Sequence, residues 1–266
     1  MYEMRYVNAG SIDEAIKELA SGGQPLAGGM TLIPTMKQRL ASPENLVDLS
    51  KCGLSGIKSR DKYIQIGAMT RHVDVAESKV VKAVIPALAA LAAGIGDRQV
   101  RNRGTIGGSV ANNDPSACYP AALLALCATV HTNNRDIAAD DFFIDMFETA
   151  LQDDEIITAI SFPKVESAAY KKFPNPASRY AMVGVFIART AESVRVAVTG
   201  ASSEGVFRDN GMEAALTKDF IPVALDSVAI ETSHFIGDIH GSPEYRAHLV
   251  REMAKRAVES CLPANL

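Results

Sequence analysis

The sequence predicts an α+β protein of two domains. Its 266 residues are enough for a substantial hydrophobic core but short for more than two modest domains. Helical and strand-like segments alternate up to about residue 163, and after that point three strand-like segments precede an amphipathic helix. The second pattern is typical of an α+β domain that covers a neighbour. We therefore place the domain boundary near Lys164, which gives domains 1–163 and 164–266.

The first domain is predicted to open with a helix, a strand and a second helix. The run from Ser11 to Glu14 has the form of a capping box, and the apolar spacing after it continues to Gly22. Pro25 to Ala27 is predicted as a short buried strand. Thr31 is predicted to cap a helix that carries Leu32, Met36 and Leu40 on one side.

The remaining elements follow from periodicity and from the position of Pro86, which a helix tolerates only near its start. Residues 73–96 have helical character, and residues 121–130 fit either a helix or a buried strand. Strands are predicted at 46–49, 63–68, 156–162, 168–173, 182–188 and 194–201, and the terminal amphipathic helix at 243–262.

Composition excludes several classes of protein. A net charge of −4 gives no electrostatic reason to expect nucleic acid. The first residues lack a leader pattern, and the apolar run 84–95 is too short for a membrane span, so a cytoplasmic protein is expected. The four cysteines form no C-x-x-C pair, and His234 and His240 fall in no metal spacing, so no metal site is predicted.

Two glycine-centred segments carry the functional prediction. The first is Ala27 to Thr31, and the second runs from Gln99 to Ser109 and on to Asn112–Pro115. Neither a G-x-G-x-x-G after a strand nor a P-loop occurs. A single glycine pair is equally well explained as a tight turn before a helix. Two such segments flanked by hydroxyl groups favour one extended ligand, and a pyrophosphate-bridged dinucleotide suits backbone N–H donors without any lysine.

These segments resemble a known family. The runs 26–40, 66–70, 99–115 and 241–246 are similar to the flavoprotein (medium) subunit of the molybdenum hydroxylases, the group of carbon monoxide dehydrogenase and xanthine dehydrogenase, over nearly the whole chain. The resemblance implies a two-subdomain FAD-binding fold of the vanillyl-alcohol oxidase (PCMH) type, with subdomains of about 1–55 and 56–163, followed by an α+β C-terminal domain.

The resemblance also implies the residues that hold FAD. The run Ala27 to Leu32 would contact the pyrophosphate, and Thr105, Gly107, Gly108 and Ser109 would line its other side. Lys172 in the C-terminal domain would lie close to the flavin. A solvated strand lysine is an equally good interpretation of Lys172. The predicted FAD-binding residues are Ala27, Gly28, Gly29, Met30, Thr31, Leu32, Ala68, Met69, Thr70, Thr105, Gly107, Gly108, Ser109, Asn112, Asp114 and Lys172.

The sequence departs from the family pattern at two positions. Met30 stands where carbon monoxide dehydrogenase-like members often have histidine, and Cys118 stands where the family usually has an aspartate. A thiol accepts hydrogen bonds poorly, so the sequence predicts a more weakly held flavin. Arg101 and Arg103 are interpreted either as partners of phosphate or of a small subunit, or as solvated loop cations.

The resemblance implies an oxidoreductase subunit whose chemistry belongs to the cofactor, so no catalytic acid, base or nucleophile is expected on this chain. It implies an electron-transfer role, with iron–sulfur clusters on a small subunit and molybdopterin on a large subunit, in a dimer of heterotrimers. Two alternatives remain open: a self-contained FAD-dependent oxidoreductase, and a nucleotide-binding scaffold that has lost flavin, for which Cys118 is the argument.

Overall fold

The computed structural model of the chain describes residues 1–262. The first 50 residues form a small parallel sheet with the strand order β1-β3-β2 and two helices. The capping box is confirmed at the first helix, because the Ser11 hydroxyl accepts from Glu14 N and the Glu14 carboxylate accepts from Gly10 N. These elements are β1 (Arg5–Asn8), α1 (Ile12–Ala20), β2 (Gly23–Leu26), α2 (Leu32–Lys37) and β3 (Asn45–Asp48).

The next hundred residues form an antiparallel sheet covered by short helices. Its strands lie in the order Ile57–Ser59, Tyr63–Gly67, Ile157–Pro163, Thr129–Thr132 and Asp136–Ala138. The helical stretch predicted at 73–96 is divided into three helices. Ser78 starts the second by accepting from Val81 N, and Pro86 starts the third. The elements from β4 to α6 are β4 (Ile57–Ser59), β5 (Tyr63–Gly67), α3 (His72–Glu77), α4 (Lys79–Val84), α5 (Pro86–Ala93) and α6 (Arg98–Arg103).

The ambiguous stretch 121–130 contains a helix followed by a strand. Every residue of the helix α8 is buried, which explains why its sequence has no polar face to distinguish it from a buried strand. The elements from α7 to β10 are α7 (Ile106–Asn112), α8 (Tyr119–Ala125), β6 (Thr129–Thr132), β7 (Asp136–Ala138), α9 (Ala139–Phe142), β8 (Phe143–Asp145), β9 (Glu148–Thr149) and β10 (Ile157–Pro163).

The C-terminal region is a four-stranded antiparallel sheet with the strands in chain order. One face packs on the apolar cluster that surrounds α8, and the other face is covered by the terminal helix. The apolar stripe of that helix is therefore buried within the chain rather than left free for a partner subunit. The elements are β11 (Ser167–Pro174), β12 (Ala181–Arg189), β13 (Val194–Ser202), β14 (Gly205–Arg208), α10 (Asn210–Lys218), a 3-10 turn (Pro222–Leu225) and α11 (Pro243–Cys261).

The predicted α+β class is thus confirmed, and two local predictions are wrong. Thr31 makes no side-chain capping bond, because its backbone is already in the right-handed helical region. Leu40 lies beyond the end of α2 and is 75% exposed, since the helix stops at Lys37 before Leu40 could turn toward the core.

Candidate functional site

A pocket of about 670 Å³ lies where the two sheets of the first 163 residues meet the start of the C-terminal sheet. Its walls come from the turn after β2, the end of β5, the segment from α6 to α8, residues 147–157, and β11 with the loop after it. All the residues predicted to bind FAD line this pocket except Thr70. The tertiary structure therefore gathers distant stretches of the sequence around one space.

Thr70 is the predicted residue that the structure places elsewhere. Its side chain is 3% exposed, and its hydroxyl group contacts both the N–H and the carbonyl of Gly56. Thr70 therefore fixes the chain that leads into β4, because its hydroxyl group bonds the backbone of Gly56, the residue before that strand.

The first glycine segment presents a row of unpaired donors to the pocket. Among the described residues, none of the backbone N–H groups from Ala27 to Leu32 donates to a protein acceptor. Gly29 turns the chain here with φ +73°, a left-handed conformation that favours glycine. Six consecutive N–H groups along one wall are a ready-made site for an anion such as pyrophosphate.

The second glycine segment lines the pocket, as predicted, but its first-turn N–H groups bond the protein itself. The N–H groups of Ile106 and Gly107 donate to Thr70 O (3.0 Å) and Ala68 O (2.8 Å), and Gly108 N donates to the Thr105 hydroxyl (3.2 Å). These first-turn donors are consequently not available to a ligand. The segment instead holds Ala68 and its neighbours in place as a pocket wall.

The two glycine segments pack directly against each other. A Cβ atom on Gly28 would lie 2.2 Å from the carbonyl oxygen of Arg103. A Cβ atom on Gly107 would lie 2.8 Å from the carbonyl oxygen of Ala68 and 2.6 Å from the Ala68 Cβ. Glycine is required at both positions because one backbone must approach another. Among residues 1–262, the polar side chains of these two segments that line the pocket and have no protein partner are those of Thr31, Ser109 and Asn112.

Lys172 also lines the pocket, and it bonds β11 of the C-terminal sheet to the turn after α5. Its ammonium group donates to Gly94 O (2.6 Å) and Arg179 O (3.1 Å), and it lies 3.7 Å from the thiol sulfur of Cys118. Lys172 is therefore neither a solvated strand lysine nor a free cation. Cys118 is 6% exposed, and both side chains line the pocket. Burial raises the pKa of Asp114 in the same wall.

The arginines of the second segment act in the scaffold. The Arg101 guanidinium donates to Ile95 O (3.0 Å) and Gly96 O (3.2 Å), so it holds the turn that ends α5. Arg103 contributes its carbonyl to the contact with Gly28, and its side chain is exposed.

Sequence reasoning missed several residues that line the pocket. His72 is buried with its Nδ1 unpaired, and burial, together with the charge of Arg101, lowers its pKa to about 4, so its ring is neutral at pH 7. Tyr180 reaches the pocket from the loop after β11, and Phe147 from the tip of the β8–β9 hairpin. His72 follows the predicted run Ala68 to Thr70 by two residues, whereas Tyr180 and Phe147 reach the pocket through long-range packing that no local motif indicates.

Glu155 lines the pocket and anchors the turn before β10. Its side chain has no exposed surface, and it accepts from the Arg135 guanidinium (2.9 Å), the Thr132 hydroxyl (2.9 Å) and Gln152 N (3.0 Å). The bond to Arg135 is the main cause that holds the pKa of this carboxyl below its ordinary value. Its stabilising contribution is therefore present above the ordinary pKa of 4.5 and is lost as the pH falls through the lower folded pKa.

We expect Glu155→Gln to lower the free energy of unfolding at pH 7, because the ionised acceptor is lost. The difference in unfolding free energy between the parent and this variant should begin to narrow below pH 4.5 and be smallest once the carboxylate is protonated in the folded parent. Urea unfolding followed by circular dichroism between pH 7 and pH 3 measures this difference in the free energy of unfolding. Glu148→Gln is the control, because Glu148 is an exposed carboxylate of the β8–β9 hairpin. A pH-independent difference would contradict the assignment.

The fold and the pocket are those of a cofactor-binding α+β protein, and comparison with known proteins gives the family. Residues 2–165 match the FAD binding domain in molybdopterin dehydrogenase, and residues 168–261 match the CO dehydrogenase flavoprotein C-terminal domain. The chain belongs to this family of FAD-binding subunits of molybdopterin dehydrogenases. It is accordingly an oxidoreductase subunit with FAD as its cofactor, and the recognition made from the glycine segments is confirmed.

Individual relatives are similar over almost their full length. The nicotine 6-hydroxylase medium subunit of Paenarthrobacter nicotinovorans is 35% identical, with 96% of each chain covered. The glyceraldehyde dehydrogenase medium chain of Sulfolobus acidocaldarius is 33% identical, over 96% of this chain and 97% of the relative. A solved structure of carbon monoxide dehydrogenase from Hydrogenophaga pseudoflava superposes with a TM-score of 0.90 at 32% identity, over 98% of this chain and 97% of that one.

The pocket fits FAD by two features of its own walls. The unpaired N–H row suits the two phosphates, and the mixed polar and apolar lining suits a large aromatic cofactor with a sugar-like chain. When bound, FAD supplies the redox chemistry, while the protein orients it and sets the charge around it. Among residues 1–262, no helix is long and apolar enough to cross a membrane.

Proposed function

We propose that this chain is the electron-transfer subunit of a multi-subunit molybdenum hydroxylase, in which it carries FAD, receives electrons from a partner subunit and passes them to an external acceptor. The observation that carries the proposal is the row of N–H donors from Ala27 to Leu32 in a pocket closed by Lys172 from the other domain. Family membership supports the same role.

The proposed site divides by chemistry. The N–H groups from Ala27 to Leu32 bind the pyrophosphate, with the Thr31 hydroxyl beside them. Ser109 and Asn112 offer side-chain hydrogen bonds to the polar chain of the cofactor, and Ala68, Met69, Thr105, Gly107 and Gly108 form the wall against which it lies. Asp114, Cys118 and Lys172 supply charged and polar groups to another part of the pocket wall. No acid–base pair of this chain takes part.

The domain organisation belongs to the proposal as well. Residues 1–163 form the FAD-binding domain, with subdomains of about 1–55 and 56–163, and residues 164–266 form the C-terminal domain. The single parallel sheet of the first 50 residues and the antiparallel sheet after it support the inner division. The four-stranded sheet that begins at Ser167 supports the outer one.

The proposed partners are a small iron–sulfur subunit and a large molybdopterin subunit, in a dimer of heterotrimers in the cytoplasm. Relatives named as medium chains or medium subunits support a complex with other chains. Iron–sulfur centres belong to the proposed small subunit; among residues 1–262, no group of three or more His, Cys, Asp or Glu side chains is close enough to hold a metal ion.

Cys118→Asp is expected to tighten FAD binding about tenfold. A carboxylate accepts hydrogen bonds well, and the Lys172 ammonium, 3.7 Å from the present sulfur, offsets its charge in the buried wall. Fluorescence titration of cofactor-free protein with FAD measures the dissociation constant. The same substitution in a Lys172→Met background is the control, and we expect the gain to disappear there. An unchanged constant in the single variant would refute the prediction.

Two measurements test the proposed function. The chain is expressed alone, denatured, and the released chromophore is identified by chromatography; about one equivalent of FAD is expected. The tagged chain is then purified from its native cells, and the co-purifying material is analysed for iron, molybdenum and two further polypeptides. FAD without partners would favour a self-contained flavoprotein, and a chain that neither contains nor takes up FAD would overturn the proposal.

A further inference from the structure

A buried threonine of the C-terminal sheet forms a hydrogen bond with the loop 114–118, which lines the pocket. Thr199 on β13 is fully buried, and its hydroxyl oxygen lies 2.8 Å from Pro115 O and 2.7 Å from Ala117 O. The next residue, Gly200, donates its N–H to Pro115 O at 2.8 Å. A hydroxyl group has only one proton to donate. Because the Gly200 N–H already donates to the Pro115 carbonyl, the Thr199 hydroxyl can donate its proton to the Ala117 carbonyl.

The loop held in this way contributes directly to the pocket. Asp114, Ser116, Ala117 and Cys118 all line it, and Thr199 itself does not. At its other end the loop is anchored by Asn113, whose side-chain amide donates to the carbonyls of Asp145 (2.8 Å) and Glu148 (2.9 Å) in the β8–β9 hairpin. The stretch 114–118 lies between this anchor and the start of α8, and Thr199 and Gly200 of β13 bond its carbonyl groups from behind.

We propose that Thr199 is a positioning residue for the flavin site, acting through the loop 114–118 without touching the cofactor. The inference rests on the proposed function for the identity of the ligand. It makes the C-terminal domain part of the cofactor site, because the wall that carries Asp114 and Cys118 holds its shape through a bond from the other domain.

The neighbouring residue provides a matched control. Successive side chains of a strand point to opposite faces, and Val198, also fully buried, packs in the cluster formed with α11 on the far side of the sheet. Val198→Ala therefore removes core packing one residue away without removing the bond to the loop. Thr199→Val removes the hydroxyl group at nearly constant shape, and Thr199→Ser retains it.

The first test is independent of FAD. In cofactor-free protein, alkylation of Cys118 by N-ethylmaleimide is followed by peptide mass mapping. We expect the rate to rise about tenfold in Thr199→Val, because the loop opens more often once its bond is lost, and to stay near the parent value in Thr199→Ser and Val198→Ala. If Thr199→Val is insoluble, Thr199→Ala removes the same hydroxyl group. An equal rate in all variants would overturn the inference.

The second test titrates the same variants with FAD. Thr199→Val should weaken FAD binding about tenfold, while Thr199→Ser and Val198→Ala remain close to the parent. Equal weakening in the valine and serine variants would assign the effect to packing and overturn the inference. If the parent itself fails to bind FAD while the alkylation rates differ as expected, the restraint on the loop stands and the proposed function fails.

Discussion

Replacing Gly28 by alanine is expected to lower the free energy of unfolding by about 3 kcal/mol and to weaken FAD binding at least about a hundredfold. The added Cβ would lie 2.2 Å from Arg103 O and 2.7 Å from the Cα of Gly104. Both atoms belong to the backbone, so no side-chain rotation relieves the contact. The two glycine segments must separate, and the N–H row from Ala27 to Leu32 moves with the first of them.

The measurement is urea unfolding followed by circular dichroism, since the chain contains no tryptophan, together with an FAD titration. Gly10→Ala is the control, because the nearest atom to its added Cβ is the flexible Glu14 carboxylate at 3.4 Å. That variant should change stability by less than about 0.5 kcal/mol. Equal behaviour of the two variants would show that the segments do not need their close approach.

Removing the buried guanidinium of Arg246 is expected to cost about 3 to 5 kcal/mol of stability. Arg246 is 3% exposed and donates to Met182 O (2.7 Å), Gly200 O (2.9 Å) and the Asp238 carboxylate (2.8 Å). In Arg246→Ala the two carbonyls and the carboxylate lose this donor together. The terminal helix α11 then loses its polar connection to the sheet that it covers.

Arg256→Ala on the same helix is the matched control, because Arg256 is exposed and makes no ion pair among the described residues. Its stability should stay within about 0.5 kcal/mol of the parent. Arg246→Lys should recover only part of the loss, since a single ammonium cannot reproduce the planar fork of donors. A fully stable Arg246→Ala variant would contradict the assigned role.

Much of the fold could be predicted because its signals are local. The capping box at Ser11, the proline at the start of α5 and the alternation of β5 are each decided by neighbours within a few residues. The boundaries of α2 and the identity of α8 could not be predicted. Leu40 has the right spacing but no core to reach, and α8 is enclosed on all sides, which removes the periodic contrast that marks a helix.

The sequence by itself determined the family and the two glycine segments. Close backbone contacts and tight turns require glycine, so both features are visible in the sequence as residue types. Only the tertiary structure decided what each segment does. The first keeps its N–H groups free, and the second uses its own groups to hold the wall at Ala68. Whether a backbone group is hydrogen-bonded depends on which residues distant in sequence pack against it, as the Thr199 hydroxyl does against the Ala117 carbonyl. No local sequence pattern encodes such a contact.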